Sequence, residues 1–134
     1  MRQYYIFNGK EINTQFASAD DIVCSYASYM AHEPSEYFIE AVEPTSTFTM
    51  SRKAMDTMMM HSPRFIEFGK KISANMCKEK SLREMELLNY DALGRLQNFI
   101  NAKPDYFLKL PQIYIASYLN IKPETFSVLK KKLK

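Results

Sequence analysis

Residues 114–129 read YIASYLNIKPETFSVL. Their apolar residues and the small Ala116 have the spacing of two helices that cross at a tight turn, where the contact positions must be apolar or small. Asn120 falls at the turn, where the backbone becomes left-handed and Asn is tolerated better than most residues. Pro123 suits a helix start, because its missing N–H would be unsatisfied there anyway. The stretch therefore predicts a helix-turn-helix whose second helix begins at about Pro123.

The second helix has two different sides when its residues are placed at about 100° intervals. Its apolar stripe consists of Phe126, Leu129 and Leu133. The opposite side, which a DNA groove would contact, carries Glu124, Ser127, Val128 and Lys131. An ordinary amphipathic helix whose lysines complement the helix dipole is the alternative. Ala116 and Asn120 upstream favour the DNA-binding interpretation.

The positive charge of the chain is concentrated at its end. The net charge of +3 comes from 18 Lys and Arg against 15 Asp and Glu. Residues 122–134 hold five of the lysines and one glutamate, which leaves 13 basic and 14 acidic residues elsewhere. A basic cluster on one helix is typical of phosphate contact. A solvated tail without a partner is the alternative.

The residues of this basic end differ in what they can reach on DNA. Glu124 can accept a hydrogen bond from a cytosine amino group, and Ser127 can donate or accept at a base edge. The lysines suit phosphates, with support from Thr125 at the helix N-terminus. The predicted DNA-binding residues are Lys122, Glu124, Thr125, Ser127, Val128, Lys130 and Lys131.

The overall composition, 46% hydrophobic and 25% charged, is that of a globular protein. No apolar run approaches the roughly 20 residues that span a bilayer, and the first residues lack a signal-peptide core, so we expect a cytoplasmic protein without a membrane partner. Cys24 and Cys77 lie far apart in the sequence and have no CxxC spacing. We therefore expect them to be reduced thiols with a structural role. His32 and His61 are isolated. We therefore expect no enzyme and no catalytic, cofactor or metal site.

The first fifty residues are rich in β-forming residues. Asn8-Gly9 between residues 4–7 and 11–16 predicts a hairpin, because both turn positions need a positive φ. Two further strands are predicted over residues 37–42 and 45–50. Residues 22–30 fit a short helix or an irregular loop.

Helices are predicted from Ser51 onward, where the apolar period changes to 3.6. Ser51 can cap a helix that ends at about Met60, Pro63 can start a long helix to about Leu88, and a third helix spans roughly Tyr90 to Ala102. The apolar seam of the long helix consists of Phe65, Phe68, Ile72 and Met76. This seam fits a dimer interface and a helix packed on its own domain equally well.

Several runs carry a family resemblance: GKE (9–11), DDIV (20–23), EPSEY (33–37), IEA (39–41) and IASYLNIKPETFS (115–127). With the order of elements, they make the chain resemble the bacterial Crp/Fnr regulators, which are related to the cyclic-AMP receptor protein and the fumarate-nitrate regulator. The likeness covers nearly the whole chain and is greatest to the short members found in Bacteroidetes. It implies an α+β fold in which a partial antiparallel β-roll is followed by a long dimerisation helix and a C-terminal helix-turn-helix.

The resemblance also implies domains and partners. Residues 1–50 would be the C-terminal part of a cyclic-nucleotide-binding-like roll, 51–89 the connector and dimerisation helix, and 90–134 the DNA-binding domain. The implied function is that of a homodimeric transcription regulator on double-stranded DNA, with RNA polymerase as a possible further partner. The effector ligand and the operator are not indicated.

Departures from the family pattern affect the ligand site. Cys24-Ser25 stands where cyclic-nucleotide binders have Gly-Glu, and Ser35 or Glu36 stands where they have the arginine that pairs with the phosphate. A carboxylate there would repel that phosphate, so we expect no response to cyclic AMP. Two cysteines also cannot supply a four-thiolate iron–sulfur site within one chain.

Other departures affect the roll and the recognition helix. Family rolls have roughly twice the strands that precede Ser51, so the front half of the roll is expected to be missing, which leaves open edges. Val128 replaces a common arginine and Lys122 a hydroxyl-bearing cap, at an expected loss of one base contact and roughly 1 kcal/mol of capping. These departures favour an alternative function: a truncated or degenerate interaction module whose half-roll binds another chain, with only vestigial DNA contact.

Overall fold

The computed structural model describes residues 1–133, and its fold is α+β, as the sequence predicts. The strands are β1 (Arg2–Phe7), β2 (Lys10–Phe16) and β3 (Phe38–Glu40). The helices are α1 (Tyr26–Ala31), α2 (Arg52–His61), α3 (Pro63–Asn89), α4 (Ala92–Ala102), α5 (Pro104–Lys109), α6 (Gln112–Tyr118) and α7 (Pro123–Lys132). None of the helices within residues 1–133 is long and apolar enough to cross a membrane. The chain divides into two compact units: Ser46–Asn89, and Met1–Thr45 with the residues from Tyr90 on.

The three strands form one antiparallel sheet in the order β2-β1-β3. The predicted hairpin is confirmed, with Asn8 and Gly9 at φ 49° and 72° in the turn between β1 and β2. Residues 22–30 contain the start of α1, and the predicted strand over 37–42 is shortened to β3. The prediction of a strand over residues 45–50 is wrong, since these residues form neither strand nor helix in the structure. The outer edge of β3 spans only three residues, and the Phe48 side chain is fully exposed.

The core of the first unit joins the hairpin to the helices. Phe16 of β2 packs among buried residues of α4, α6, α7 and the turn before α7, which are Leu96, Phe99, Ile115, Ala116, Leu119, Ile121 and Phe126. The ring centroid of Phe16 lies 6.4 Å from that of Phe99 and 5.2 Å from that of Tyr118. Residues from the first predicted segment (1–50) and from the last (90–134) therefore share one core.

The second unit contains the helix pair α2 and α3. Ser51 caps α2 as predicted, since its Oγ accepts a hydrogen bond of 3.2 Å from the backbone N–H of Ala54. Helix α3 begins at Pro63, also as predicted, and runs for 27 residues. A Cβ added at Gly69 would lie 3.4 Å from the sulfur of Met59, so α2 approaches α3 there. Among the described residues of both helices, none is buried.

Candidate nucleic-acid interface

Helices α6 and α7 form the pair of helices that the sequence predicts. Ala116 of α6 is buried, and its carbonyl accepts a 2.9 Å hydrogen bond from the N–H of Ile121 in the turn. Asn120 has a left-handed φ of 52°, and Pro123 is at the start of α7, as expected of each. The turn geometry thus fixes where α7 begins.

Helix α6 is fastened to the edge of the sheet by Ser117. Its Oγ donates to the backbone carbonyl of Glu11 at 2.8 Å and accepts from the backbone N–H of Asn13 at 3.0 Å. Both backbone groups belong to the outer edge of β2, whose other edge pairs with β1. One hydroxyl therefore satisfies two edge groups and orients α6 on the hairpin.

The side chain of Arg2 also connects the sheet to α6, and no feature of the sequence predicts this contact. Its side chain is 3% exposed, donates to Glu11 at 2.7 Å and to Glu40 at 2.6 Å, and lies between two aromatic rings. The guanidinium carbon is 4.1 Å from the ring centroid of Tyr4 and 3.9 Å from that of Tyr114 on α6. Burial opposes the charge, but the hydrogen bonds to the two carboxylates outweigh it and raise the pKa of Arg2.

Helix α7 has an anchored side and a free side. Phe126 is buried at 1% exposure, and Leu129 packs against the same core. The opposite, outward side is exposed and consists of Glu124, Ser127, Val128 and Lys131. Val128, which is 54% exposed, lies at one edge of that side, next to Glu124. The structure therefore brings these four predicted residues onto one surface, here called the outward face of α7.

The polar groups near the start of α7 have different local partners. The hydroxyl of Ser127 donates to the carbonyl of Pro123 at 3.1 Å, so its proton is used inside the helix while its oxygen can still accept. Glu124 lies in the first turn, where the helix dipole favours a carboxylate. Thr125 is exposed, at the margin of the outward face.

The predicted phosphate-binding lysines are not all on the outward face. Lys131 is on it and exposed. The ammonium of Lys130 lies 5.4 Å from the ring centroid of Phe107, on the flank of the buried side. Lys122 is exposed at the N-cap position, and its side chain makes no capping hydrogen bond in the described structure. Only Lys131 is thus presented together with Glu124.

The predicted dimer seam of α3 is partly covered. Phe65, Ile72 and Met76 have intermediate exposure, and Phe68 is 44% exposed. Further apolar side chains of this unit are exposed: Met58, Met60, Ile66, Leu82, Met85 and Leu88. This burial pattern is compatible with both interpretations of the seam.

The segment that resembles a nucleotide cassette has its hydroxyls engaged locally. The Oγ atoms of Ser25 and Ser28 are 2.8 Å apart, and Ser35 bonds to both backbone groups of Tyr37 at 3.0 Å. The part of the chain that the structure describes has no group of three or more His, Cys, Asp or Glu side chains that could hold a metal ion.

Comparisons with protein families, with curated proteins and with solved structures found no match for this chain. The resemblance to the Crp/Fnr regulators therefore stays a prediction that rests on the quoted sequence runs.

Proposed function

We propose that the protein is a homodimeric, sequence-specific DNA-binding transcription regulator of the Crp/Fnr type that does not respond to cyclic AMP. The observation that carries this proposal is the pair α6 and α7. Buried Ala116, left-handed Asn120 and buried Phe126 hold α7 by one side and leave its polar side exposed. A helix that reads a major groove needs this arrangement, since one face must be anchored while the other contacts bases.

The outward face of α7 supplies complementary groups for base edges. The exposed carboxylate of Glu124 can accept from the amino group of cytosine, and the free lone pairs of Ser127 can accept from that of cytosine or adenine. Val128 replaces the arginine of the family pattern with an exposed apolar surface, which fits the methyl group of thymine. We therefore expect this face to contact the amino group of cytosine and the methyl group of thymine, and not the acceptor atoms of guanine that an arginine would contact.

Phosphate contacts come from the lysines around this face. Lys131 and Lys122 are exposed and can reach the backbone on either side of the groove. Lys130 would have to leave the ring of Phe107, with which it makes a partly covered cation–π contact, at a cost of about 1 kcal/mol. Lys130 is therefore the weakest of the three contacts.

Dimerisation through α3 supplies the two-fold symmetry that such readers use. In the 27 described residues of α3 none is buried, although the helix carries Phe65, Phe68, Ile72 and Met76. Phe68 is 44% exposed and the other three are only partly covered, so a second copy that buries this seam would lower the free energy.

Selection from random duplexes by the purified protein tests the proposal. We expect an enriched palindrome whose half-sites lie about one helical turn apart. Glu124→Ala should relax preference at one base pair per half-site, by about 1–3 kcal/mol, and Lys131→Ala should weaken all sequences alike and lower the salt slope by about one unit. Lys10→Ala, which removes an equal charge from the exposed hairpin, is the matched control and should change neither quantity.

A second candidate function is an interaction module that binds another chain, with only vestigial DNA contact. Two observations favour it: the exposed apolar side chains of α2 and α3, and the exposed Val128 in place of a base-reading cation. No enriched sequence, together with DNA binding that disappears at moderate salt, would support this candidate and contradict the first.

A further inference from the structure

Arg95 on α4 directs its guanidinium at three backbone carbonyls. Its Nε donates to Leu119 at 2.8 Å, one terminal nitrogen to Tyr90 at 2.7 Å, and the other to Asn120 at 3.3 Å. Leu119 and Asn120 belong to the turn between α6 and α7, and Tyr90 comes just before α4. Within residues 1–133 Arg95 forms no ion pair, and its hydrogen bonds are to these three backbone carbonyls.

The carbonyls at the end of α6 are a natural target for a cation. The last carbonyls of a helix have no partner within it and lie at the negative end of its dipole. The rigid fork of Arg can bond two adjacent carbonyls at once, which a Lys ammonium on its flexible stem does less well. Asn120 is also held at a positive φ, which costs free energy unless its surroundings favour that conformation.

We infer that Arg95 is a positioning residue for DNA recognition: it holds the turn at Leu119 and Asn120 in one conformation and so sets the direction in which α7 leaves it. This inference rests on the proposed function. Arg95 acts through the turn, because each of its three guanidinium nitrogens already donates to a backbone oxygen. Its loss should therefore affect the discrimination of DNA sequences more than the general attraction to phosphates.

Hydrogen exchange of backbone amides tests the first half of the inference without DNA. The amides of Asn120 and Ile121, which bond to carbonyls of α6 at 3.1 and 2.9 Å, report on the turn. In Arg95→Met we expect them to exchange roughly tenfold faster, as for the loss of one charge-assisted hydrogen bond. The amide of Lys103, bonded at 2.8 Å at the end of α4, is the internal reference. Equal acceleration at Lys103, or none at the turn, would overturn the inference.

Arg95→Lys and Lys10→Met separate geometry from charge. Arg95→Lys keeps the charge but loses the fork, so we expect turn amides that still exchange faster than in the unmutated protein. Lys10→Met removes one charge from the exposed hairpin and should leave the turn amides unchanged.

Binding to the enriched duplex and to an unrelated duplex of equal length tests the second half. Arg95→Met should bind the enriched duplex about tenfold more weakly and the unrelated duplex almost as well as before. Full specific affinity in Arg95→Lys would show that only charge matters, and unchanged specific affinity in Arg95→Met would remove the positioning role. If the unmutated protein enriches no sequence, the proposed function fails, and the exchange rates still decide whether Arg95 holds the turn.

Discussion

Replacement of Arg2 by Met should destabilise the first unit by about 3–4 kcal/mol. Hydrogen bonds to charged groups contribute about 1.5–3 kcal/mol each, but the side chains of Glu11 and Glu40 are 46% and 49% exposed. Water can replace the guanidinium at both carboxylates, which reduces each contribution to about 1 kcal/mol. The rings of Tyr4 and Tyr114 add about 0.5–1 kcal/mol each through cation–π contact.

Urea titration followed by tyrosine fluorescence and circular dichroism measures this loss. Arg2→Lys retains the charge but not the planar fork, so its free energy of unfolding should fall by about 1–2 kcal/mol. Lys10→Met, which removes an exposed cation from the same hairpin, should stay within about 0.5 kcal/mol of the unmutated protein. A loss below about 1 kcal/mol in Arg2→Met, or full stability in Arg2→Lys, would refute the assignment of Arg2 as a residue that joins β1 to β2, β3 and α6.

Three further outcomes are expected. Phe126→Ala should lower the free energy of unfolding by about 3–5 kcal/mol in the same titration, because Phe126 is 1% exposed and anchors α7. Light scattering at micromolar concentration should give twice the monomer mass, Ile72→Asp should return it to one, and Ala74→Asp on the other side of α3 should not. A monomeric unmutated protein would contradict the dimer. Cyclic AMP and cyclic GMP should give no saturable heat in calorimetry, because Ser25 replaces the ribose partner and Ser35 or Glu36 replaces the phosphate partner. Binding at micromolar nucleotide would show that the cassette is misaligned.

Helix starts are predictable in this chain where a local signal marks them. Ser51 precedes α2, and α3 and α7 begin at Pro63 and Pro123, as the sequence predicts. Helix α5 begins at Pro104 by the same physics, although no helix is predicted there from the sequence. A proline that follows one helix can therefore also occupy the first turn of the next.

Contacts between distant residues have no such signal. Ser117 and Glu11 are 106 positions apart, and Arg2 and Glu40 are 38 apart. Apolar periodicity predicts which face of an element is buried but not which element covers it. The strand predicted over residues 45–50 is wrong for the same reason. β-propensity shows that a segment can form a strand, but not that a neighbouring strand is there to pair with it.

The hairpin of β1 and β2 helps to position α6 and α7, so residues 114–129 alone do not determine the direction of α7. Phe16 of β2 packs against Phe99 and Tyr118, and Ser117 bonds to the edge of the same strand. The position of α6 is therefore set by β2 as well as by α4, while the turn is held by Arg95. The motif of residues 114–129 follows from its own spacing, but the direction in which α7 presents Glu124 and Val128 depends on side chains about a hundred residues earlier in the chain.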